Sequence, residues 1–268
     1  MGFETEGHLE RERQIKLTIS YVGTAYHGWQ RQDGASTIQG VMEEALERLL
    51  KEKVSLLASG RTDAGVHALA QVACFRTSRT IPCEGIVKGL NSMLPEDISV
   101  LSAELVPPEF HPIASARAKR YCYQIVISPV RLPLFVNRAW RIGIPLDLAA
   151  MRQAAGHLVG THDFSSFRAA GSSAQSSIRT LFKLDIDERP LEEYSEVHAS
   201  LITITAEANG FLRYMVRNIT GLLAEVGMGR LAPDTASAIL EARNRQASSP
   251  TAPACGLYLT RVFYPPLP

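Results

Sequence analysis

Long apolar runs, clustered cysteines and common cofactor motifs are all missing from this sequence of 268 residues. No apolar run reaches the roughly 18 residues of a membrane-spanning helix, so no membrane span is expected. The four cysteines lie far apart without CxxC or Cys/His spacing, which favours buried thiols in a reducing cytoplasm over zinc or disulfides. The hydrophobic fraction of 46% and the charged fraction of 21% are those of an ordinary globular protein.

The motifs that bind nucleotides or metals, or that build a serine hydrolase, are absent as well. The sequence has no GxxxxGK[ST] loop, no GxGxxG after a strand, no HExxH pair and no GxSxG turn. Its histidines show no metal-ligand spacing, and His67 is interpreted as a turn-stabilising residue rather than a proton carrier. We therefore predict no metal site and no small-molecule cofactor.

Acidic residues are missing from residues 110–146 and 164–184, although the net charge is only +1. Both stretches carry several basic residues. Such segregation can build a basic face on a nearly neutral protein, as binding a polyanion requires. An accident of strand composition is the alternative, and charge alone does not separate the two.

The spacing of apolar residues predicts an α+β fold. Strands are predicted over residues 15–21, 54–58, 69–75, 98–106, 118–127, 179–188 and 197–208, and helices over 38–49, 84–93, 146–159, 211–226 and 233–242. Both halves of the chain have the order strand, helix, strands. This order favours helices on one side of a largely antiparallel sheet.

Pro107 and Pro108 form the clearest break in the chain and mark a candidate domain junction. We predict a disordered tail over residues 1–13, because this acidic segment lacks the apolar core of a signal peptide. An N-terminal α+β domain follows over residues 14–108, and a C-terminal α+β domain covers residues 109–268.

The most informative segment is the turn that carries Asp63 within residues 59–68, Ser-Gly-Arg-Thr-Asp-Ala-Gly-Val-His-Ala. Gly60 and Gly65 bracket the carboxylate, and glycine permits positive φ and close approach to a ligand. A loop between two strands is a common place for chemistry, and Arg61 is expected to favour the ionised carboxylate. Taken alone, the pattern is more typical of a hairpin turn with a surface Arg–Asp pair.

Two other segments carry candidate binding residues. Lys119, Tyr121 and Tyr123 alternate along a predicted strand and face one side, which suits stacking on a flipped base beside a phosphate. Two core tyrosines with a solvated lysine are the alternative. Arg213 and Arg217 have i, i+4 spacing on the predicted apolar helix, where a cation needs an anionic partner, either a structural acid or a catalytic carboxylate.

Six segments together resemble the tRNA pseudouridine synthase A family. They follow the family's order along the chain, at residues 21–30, 60–68, 119–123, 163–167, 211–218 and 253–259. Val22 and Arg213 depart from the residues that the family often has, and Arg213 is expected to alter RNA contacts. The resemblance implies the pseudouridine synthase fold: two subdomains that share a largely antiparallel mixed sheet flanked by helices, with the active-site cleft between them.

The resemblance also implies a function. A cytoplasmic homodimer would isomerise uridine to pseudouridine at positions 38 to 40 of the tRNA anticodon stem-loop, with the RNA across both subunits and no cofactor. Asp63 would be the essential carboxylate, which attacks C1′ or abstracts a ribose proton. Arg217 would pair with Asp63, and Arg61 would fill the space of the flipped nucleotide.

The same resemblance assigns Tyr121 to stacking on the target uracil and Leu257 to an apolar contact in the pocket. Lys119 and Arg213 are candidate RNA contacts. An RNA-binding or RNA-folding protein without turnover and a pseudouridine synthase with another RNA target are the alternatives. A glycosidase-like hydrolase is less expected, because that chemistry usually needs two carboxylates and only one is evident.

Overall fold

The computed structural model describes residues 12–169 and 175–266, and the structural statements below concern these residues. Residues 1–11 of the predicted disordered tail lie outside the described residues. The first strand already begins at Arg13.

The N-terminal half contains four strands and two helices: β1 (Arg13–Tyr21), α1 (Ile38–Leu50), β2 (Leu57–Ala58), β3 (His67–Thr77), α2 (Cys83–Asn91) and β4 (Ile98–Val106). The C-terminal half contains six strands and three helices: β5 (Ala118–Ile127), β6 (Trp140–Ile142), α3 (Leu148–Gly156), β7 (Gly160–Asp163), β8 (Ile178–Pro190), β9 (Ser200–Ala208), α4 (Met215–Gly227), α5 (Thr235–Ala242) and β10 (Leu257–Phe263).

All ten described strands belong to one sheet, with the order β4-β1-β3-β10-β5-β9-β8-β7. β2 adds to β3, and β6 adds to β5. Only β10 with β3 and β5 with β6 pair in parallel; the other pairings are antiparallel. The predicted α+β class, with helices flanking a largely antiparallel mixed sheet, is confirmed.

The C-terminal strand β10 connects the two halves of the sheet. Tyr258 pairs with His67 of β3, and Leu257 pairs with Tyr123 of β5. Sequence analysis missed this strand, although Leu257 and Leu259 alternate with the more polar Tyr258 and Thr260 as residues do in a half-buried strand. Through β10, the loop before β3 and the face of β5 come to the same region of the molecule.

The core lies between the sheet and its helices, as the apolar periodicity predicts. Ile15, Leu17 and Ile19 of β1 are fully buried and alternate with partly exposed residues. Helix α1 begins after Thr37, whose side chain accepts a hydrogen bond from Gly40 N, as an N-cap residue does. Burial of each large apolar side chain stabilises the fold by roughly 1.5–3 kcal/mol.

The predicted helix over residues 211–226 is wrong at its start. Helix α4 begins at Met215, because Tyr214 adopts the left-handed conformation with a φ of 67°. A left-handed residue cannot continue a right-handed helix. Arg213 therefore lies in the loop before α4, and the prediction that Arg213 and Arg217 share a helical face is wrong.

The predicted strand over residues 54–58 contracts to two residues of β2. The candidate junction at Pro107 and Pro108 falls between β4 and β5, which are strands of the same sheet, and the division into two domains stays a prediction. Among the described helices, none has the length and apolar character needed to cross a membrane.

Candidate active site

Asp63 lies in the loop between β2 and β3, and main-chain hydrogen bonds join this loop to the segment after β1. Trp29 N donates to Thr62 O at 3.0 Å, and Gly65 N donates to Tyr26 O at 3.4 Å. Within the loop, Val66 N donates to Asp63 O at 3.1 Å. The segment after β1 therefore forms one wall against which the Asp63 loop is packed.

Glycine is required where these two segments touch. A Cβ atom at Gly23 would lie 1.9 Å from Val66 O, and one at Gly28 would lie 2.6 Å from Thr62 O. Gly28 also has a φ of +88°, which L side chains rarely adopt. Any other residue at these positions would push the Asp63 loop away.

Buried polar side chains hold the first half of the loop. Gln71 Nε2 donates to Gly60 O at 2.8 Å, and Ser59 Oγ donates to Gln71 Oε1 at 2.8 Å. The hydroxyls of Tyr21 and Thr62 share a hydrogen bond of 2.7 Å. Because buried polar groups that are fully paired permit few alternative arrangements, this network leaves the loop little freedom.

His67 connects three segments around Asp63. Its Nδ1 accepts a hydrogen bond from Gly23 N at 3.1 Å, so Nε2 carries the proton and donates to Cys255 O at 3.1 Å. The ring stacks on Tyr258 with a centroid distance of 4.7 Å. Burial lowers the pKa of His67, which favours this neutral form. Both nitrogens are occupied by backbone groups, as a turn-stabilising residue requires.

The Asp63 carboxylate faces two arginines from the other half of the chain. Arg217 Nη1 lies 3.8 Å from Oδ2, and Arg213 Nε lies 3.7 Å from Oδ1. Burial raises the pKa of Asp63, and the positive charges of Arg217 and then Arg213 oppose this rise. The Asp63 side chain keeps 24% of its surface exposed, so a ligand can reach it.

Arg61 precedes Asp63 by two residues, but the two side chains do not form an ion pair. Its side chain is exposed, and it makes no ion pair with Asp63 in the described part of the chain. The prediction that Arg61 favours the ionised carboxylate is therefore wrong. The cations beside Asp63 are Arg213 and Arg217.

Arg217 is held in place by the segment before β10. Its Nε donates to Ala252 O at 2.8 Å, and its backbone O accepts from Ala252 N at 3.1 Å. A Cβ at Gly221 would lie 1.9 Å from Pro250 O, so a glycine on α4 permits this close approach. With Nε occupied, the Nη groups point to Asp63. The sequence contains no local signal for Ala252, because its contribution is a carbonyl.

Tyr214 brings the two arginines together. Its ring centroid lies 5.0 Å from Arg213 Cζ and 4.7 Å from Arg217 Cζ, within the range of cation–π contacts. The left-handed backbone at this residue turns the chain into α4 between the two arginines. Sequence analysis did not single out Tyr214, and a left-handed φ at a tyrosine is not readable from residue type.

Tyr121 supplies an aromatic surface beside the carboxylate. It is buried, and Phe211 packs edge-on against it at a centroid distance of 5.1 Å. Burial raises the pKa of Tyr121, and the nearby Tyr21 and Asp63 raise it further. Leu257 is also buried and begins the neighbouring strand β10, on the same face. These contacts make an apolar wall next to a charged group.

Lys119 lies on the same face of β5 as Tyr121, two residues away. Its Nζ donates a hydrogen bond to Ser59 O, at the start of the Asp63 loop. Burial and the nearby Arg179 lower the pKa of Lys119 to about 8. Lys119 is therefore not the fully solvated lysine of the alternative interpretation.

The arrangement suits a reaction that needs one carboxylate. An ionised Asp63 can act as a nucleophile or a base, the arginines stabilise its charge, and the aromatic wall can hold a planar ring. Within the described ranges, no group of three or more His, Cys, Asp and Glu residues is placed to hold a metal ion. The absence of a cofactor remains a prediction.

Comparison with known proteins places these residues in a family context. The family model described as tRNA pseudouridine synthase matches residues 17–113 and 154–265. A protein named tRNA pseudouridine synthase A from Pelobacter propionicus is 47% identical over 252 residues, which cover 94% of this chain and 100% of that protein. The protein of the same name from Thermoanaerobacter sp. is 43% identical over 252 residues, with the same coverage.

A solved structure, the archaeal box H/ACA sRNP Nop10-Cbf5 complex, aligns with a TM-score of 0.33 at 11% identity, covering 78% of this chain and 44% of that chain. That likeness is too weak to add to the sequence relationship.

Proposed function

The chain belongs to the tRNA pseudouridine synthase family, and on that premise we propose that it isomerises uridine to pseudouridine at positions 38 to 40 of the tRNA anticodon stem-loop. The enzyme class is that of an isomerase acting on tRNA. The anticodon stem-loop as the target and the roles of individual residues are our proposal.

The reaction rearranges one nucleoside without changing its composition. The bond between N1 of uracil and C1′ of ribose breaks, and a bond between C5 and C1′ forms. C5 loses a proton, and N1 gains one. Because no electrons are added or removed, the site needs a nucleophile or base, a holder for the free uracil and a proton acceptor.

Asp63 is the group on which we base the chemistry. Its ionised form would either attack C1′ or abstract a ribose proton, and either route releases uracil. Arg213 and Arg217 favour the ionised form against the effect of burial. This carboxylate, fixed on a rigid loop and paired with two cations, is the single observation that carries the proposal.

Tyr121 and Leu257 would hold the uracil while it turns. The buried Tyr121 ring offers a stacking surface, and its hydroxyl makes no hydrogen bond to another described residue. Because its pKa is raised, this hydroxyl stays neutral, and it would relay the C5 proton to water rather than keep it. A stem uridine must first leave the helix, at a cost of a few kcal/mol. The exposed Arg61 is suited to fill the space that the nucleotide leaves.

A protein that binds RNA without turnover is the main alternative. Binding alone does not require a carboxylate, and an acid in a polyanion site repels the ligand. The hydrogen bonds and glycines that fix the Asp63 loop therefore favour catalysis over binding alone.

We also propose that the enzyme acts as a cytoplasmic homodimer with tRNA across both subunits. Sedimentation of the protein with and without tRNA would test the dimer and its complex with tRNA.

Pseudouridine mapping tests the proposal directly. Unmodified tRNA is incubated with wild type, with Asp63→Asn and with Asp187→Asn, an exposed carboxylate on β8 as the control. Carbodiimide labelling and primer extension then locate pseudouridine. We expect it in the anticodon stem-loop with wild type and the control only. Activity of Asp63→Asn would overturn the role of the carboxylate, and product elsewhere in the RNA would overturn the target.

A further inference from the structure

Two basic side chains near the Asp63 loop have no acidic partner. Lys119 on β5 and Arg179 on β8 make no ion pair with any carboxylate in residues 12–169 and 175–266. Asp63, on the loop that Lys119 contacts, faces Arg213 and Arg217 instead. Two neighbouring cations differ, because Arg120 pairs with Glu207 and Lys183 pairs with Asp185.

The strand register places both cations on one face of the sheet. Lys119 pairs with Ala208 of β9, and Ala208 pairs in turn with Leu181 of β8. Arg179 lies two residues from Leu181 and therefore faces the same side. Tyr121 shares this side with Lys119, about 7 Å further along β5. The two cations thus lie beside the aromatic wall of the site.

Without a bound ligand, the two neighbouring positive charges of Lys119 and Arg179 destabilise the protein. The Lys119 side chain is partly buried, and its ammonium group has three donors, of which one is used on Ser59 O. The pKa of Lys119 falls to about 8 because of burial and the charge of Arg179. A buried charge without a counter-ion is destabilising, and an adjacent like charge adds to the cost. Such a pair fits an anion that arrives with a ligand.

We propose that Lys119 and Arg179 bind one backbone phosphate of the tRNA, next to the uridine whose base stacks on Tyr121. This inference rests on the proposed function, which supplies the RNA. The phosphate would complete the charge balance, and the Lys119 bond to Ser59 O would link phosphate binding to the Asp63 loop. The site would therefore hold the flipped nucleotide from its backbone as well as from its base.

Binding of a tRNA transcript to charge variants tests the pair. Lys119→Met and Arg179→Gln should each weaken binding about tenfold. Each should also reduce the slope of log Kd against log salt by about one. Lys183→Gln is the matched control, because this exposed cation lies on the same strand as Arg179 and is paired with Asp185. It should leave affinity and slope nearly unchanged.

A thermal melt separates ligand binding from a structural role. We expect Lys119→Met to melt close to wild type, since relief of a buried charge offsets the lost bond to Ser59. A clear loss of stability with unchanged tRNA affinity would overturn the proposal and leave Lys119 as a tether only. If Lys119→Met and Arg179→Gln lose no more affinity than Lys183→Gln, the two cations attract RNA only through their general charge, and the proposal is overturned.

A neutral backbone linkage identifies the phosphate itself. RNA stem-loops are synthesised with a single methylphosphonate on either side of the modified uridine. With one of these RNAs, the penalties of Lys119→Met and Arg179→Gln should disappear, because the anion they bind is gone. Equal penalties on every RNA would overturn the assignment to one phosphate. Turnover by wild type is measured separately, so loss of the proposed reaction is distinguishable from failure of the phosphate site.

Discussion

The two segments that meet at the Asp63 carboxylate are held in different ways. The Asp63 loop is fixed by main-chain hydrogen bonds and by glycines that permit contacts closer than a Cβ allows. The segment around the start of α4 positions side chains instead. Arg217 is 14% exposed and is bonded to Ala252, whereas Arg213 is 54% exposed and has an aromatic contact with Tyr214.

This difference separates geometry from charge. The main chain of the N-terminal half determines where the carboxylate lies, so changes there should move it. Side chains of the C-terminal half set its ionisation, so changes there should alter the pH dependence and leave the loop in place. The four predictions below test this separation, from the largest expected effect to the smallest.

The strongest test is Gly23→Ala, which acts on the loop alone. The new methyl group would meet Val66 O at 1.9 Å, and the backbone must shift. We expect a loss of about 2 kcal/mol in the free energy of unfolding and about 100-fold in kcat/KM. Gly156→Ala on α3 is the control, since its Cβ meets nothing within 4 Å. Normal activity of Gly23→Ala would show that the loop tolerates displacement.

Arg217→Gln should change the charge without moving the loop. Its side chain is only 14% exposed and lies beside Asp63, and we expect kcat/KM to fall about 100-fold. Removal of this cation raises the pKa of Asp63 further, so the acidic limb of the kcat/KM profile should move to higher pH. Arg217→Lys keeps the charge and should retain more of the wild-type profile. An unmoved acidic limb in Arg217→Gln would contradict the electrostatic role.

Arg213→Gln should act in the same direction, and more weakly. The side chain is 54% exposed, so solvent screens its ion pair, and a loss of about threefold in kcat/KM is expected. The acidic limb should move up by less than in Arg217→Gln. High salt should diminish the difference from wild type. A larger effect than that of Arg217→Gln would mean that the exposed arginine contacts RNA directly.

Substitutions of Tyr214 should have the smallest effect, and two of them distinguish the contribution of the ring from that of the backbone. Tyr214→Ala removes the ring and keeps a strained left-handed residue, whereas Tyr214→Gly removes both. We expect the glycine variant to be more stable than the alanine variant by about 1 kcal/mol, measured by urea unfolding. Both should lose about twofold in kcat/KM, as the cation–π contacts disappear. Equal stability of the two would argue against backbone strain.

Regular strands were the most predictable part of the fold. β4 and β5 have the bounds that the sequence predicts, and alternation is clearest where Ile98 and Val100 of β4 and Tyr121, Tyr123 and Ile125 of β5 are buried. The start of α4 was not predictable, since the apolar pattern of residues 211–214 continues that of the helix and the left-handed turn at Tyr214 leaves no mark in the sequence. Strand β10 was not predicted, because its alternating segment is short and lies near the C-terminus.

The candidate site shows the same division. Asp63, Tyr121 and Arg217 were named from motifs, and their roles stay predictions. Arg61 was expected to act on Asp63 because it is near in sequence, yet the loop turns it outward and Arg213 takes the position beside Asp63. Ala252 and Ser59 contribute only carbonyl oxygens, which every residue possesses, so no residue pattern could identify them.

By itself, the sequence determined the α+β class, the family and the residue types that chemistry at Asp63 requires. Only the tertiary structure decided which cations face the carboxylate, which lysine is buried and where its charge is left unbalanced. The physical reason is that periodicity and turn chemistry act over a few neighbouring residues. Ion pairing and burial depend on distances between remote segments, and these distances are set when β10 joins the two halves of the sheet.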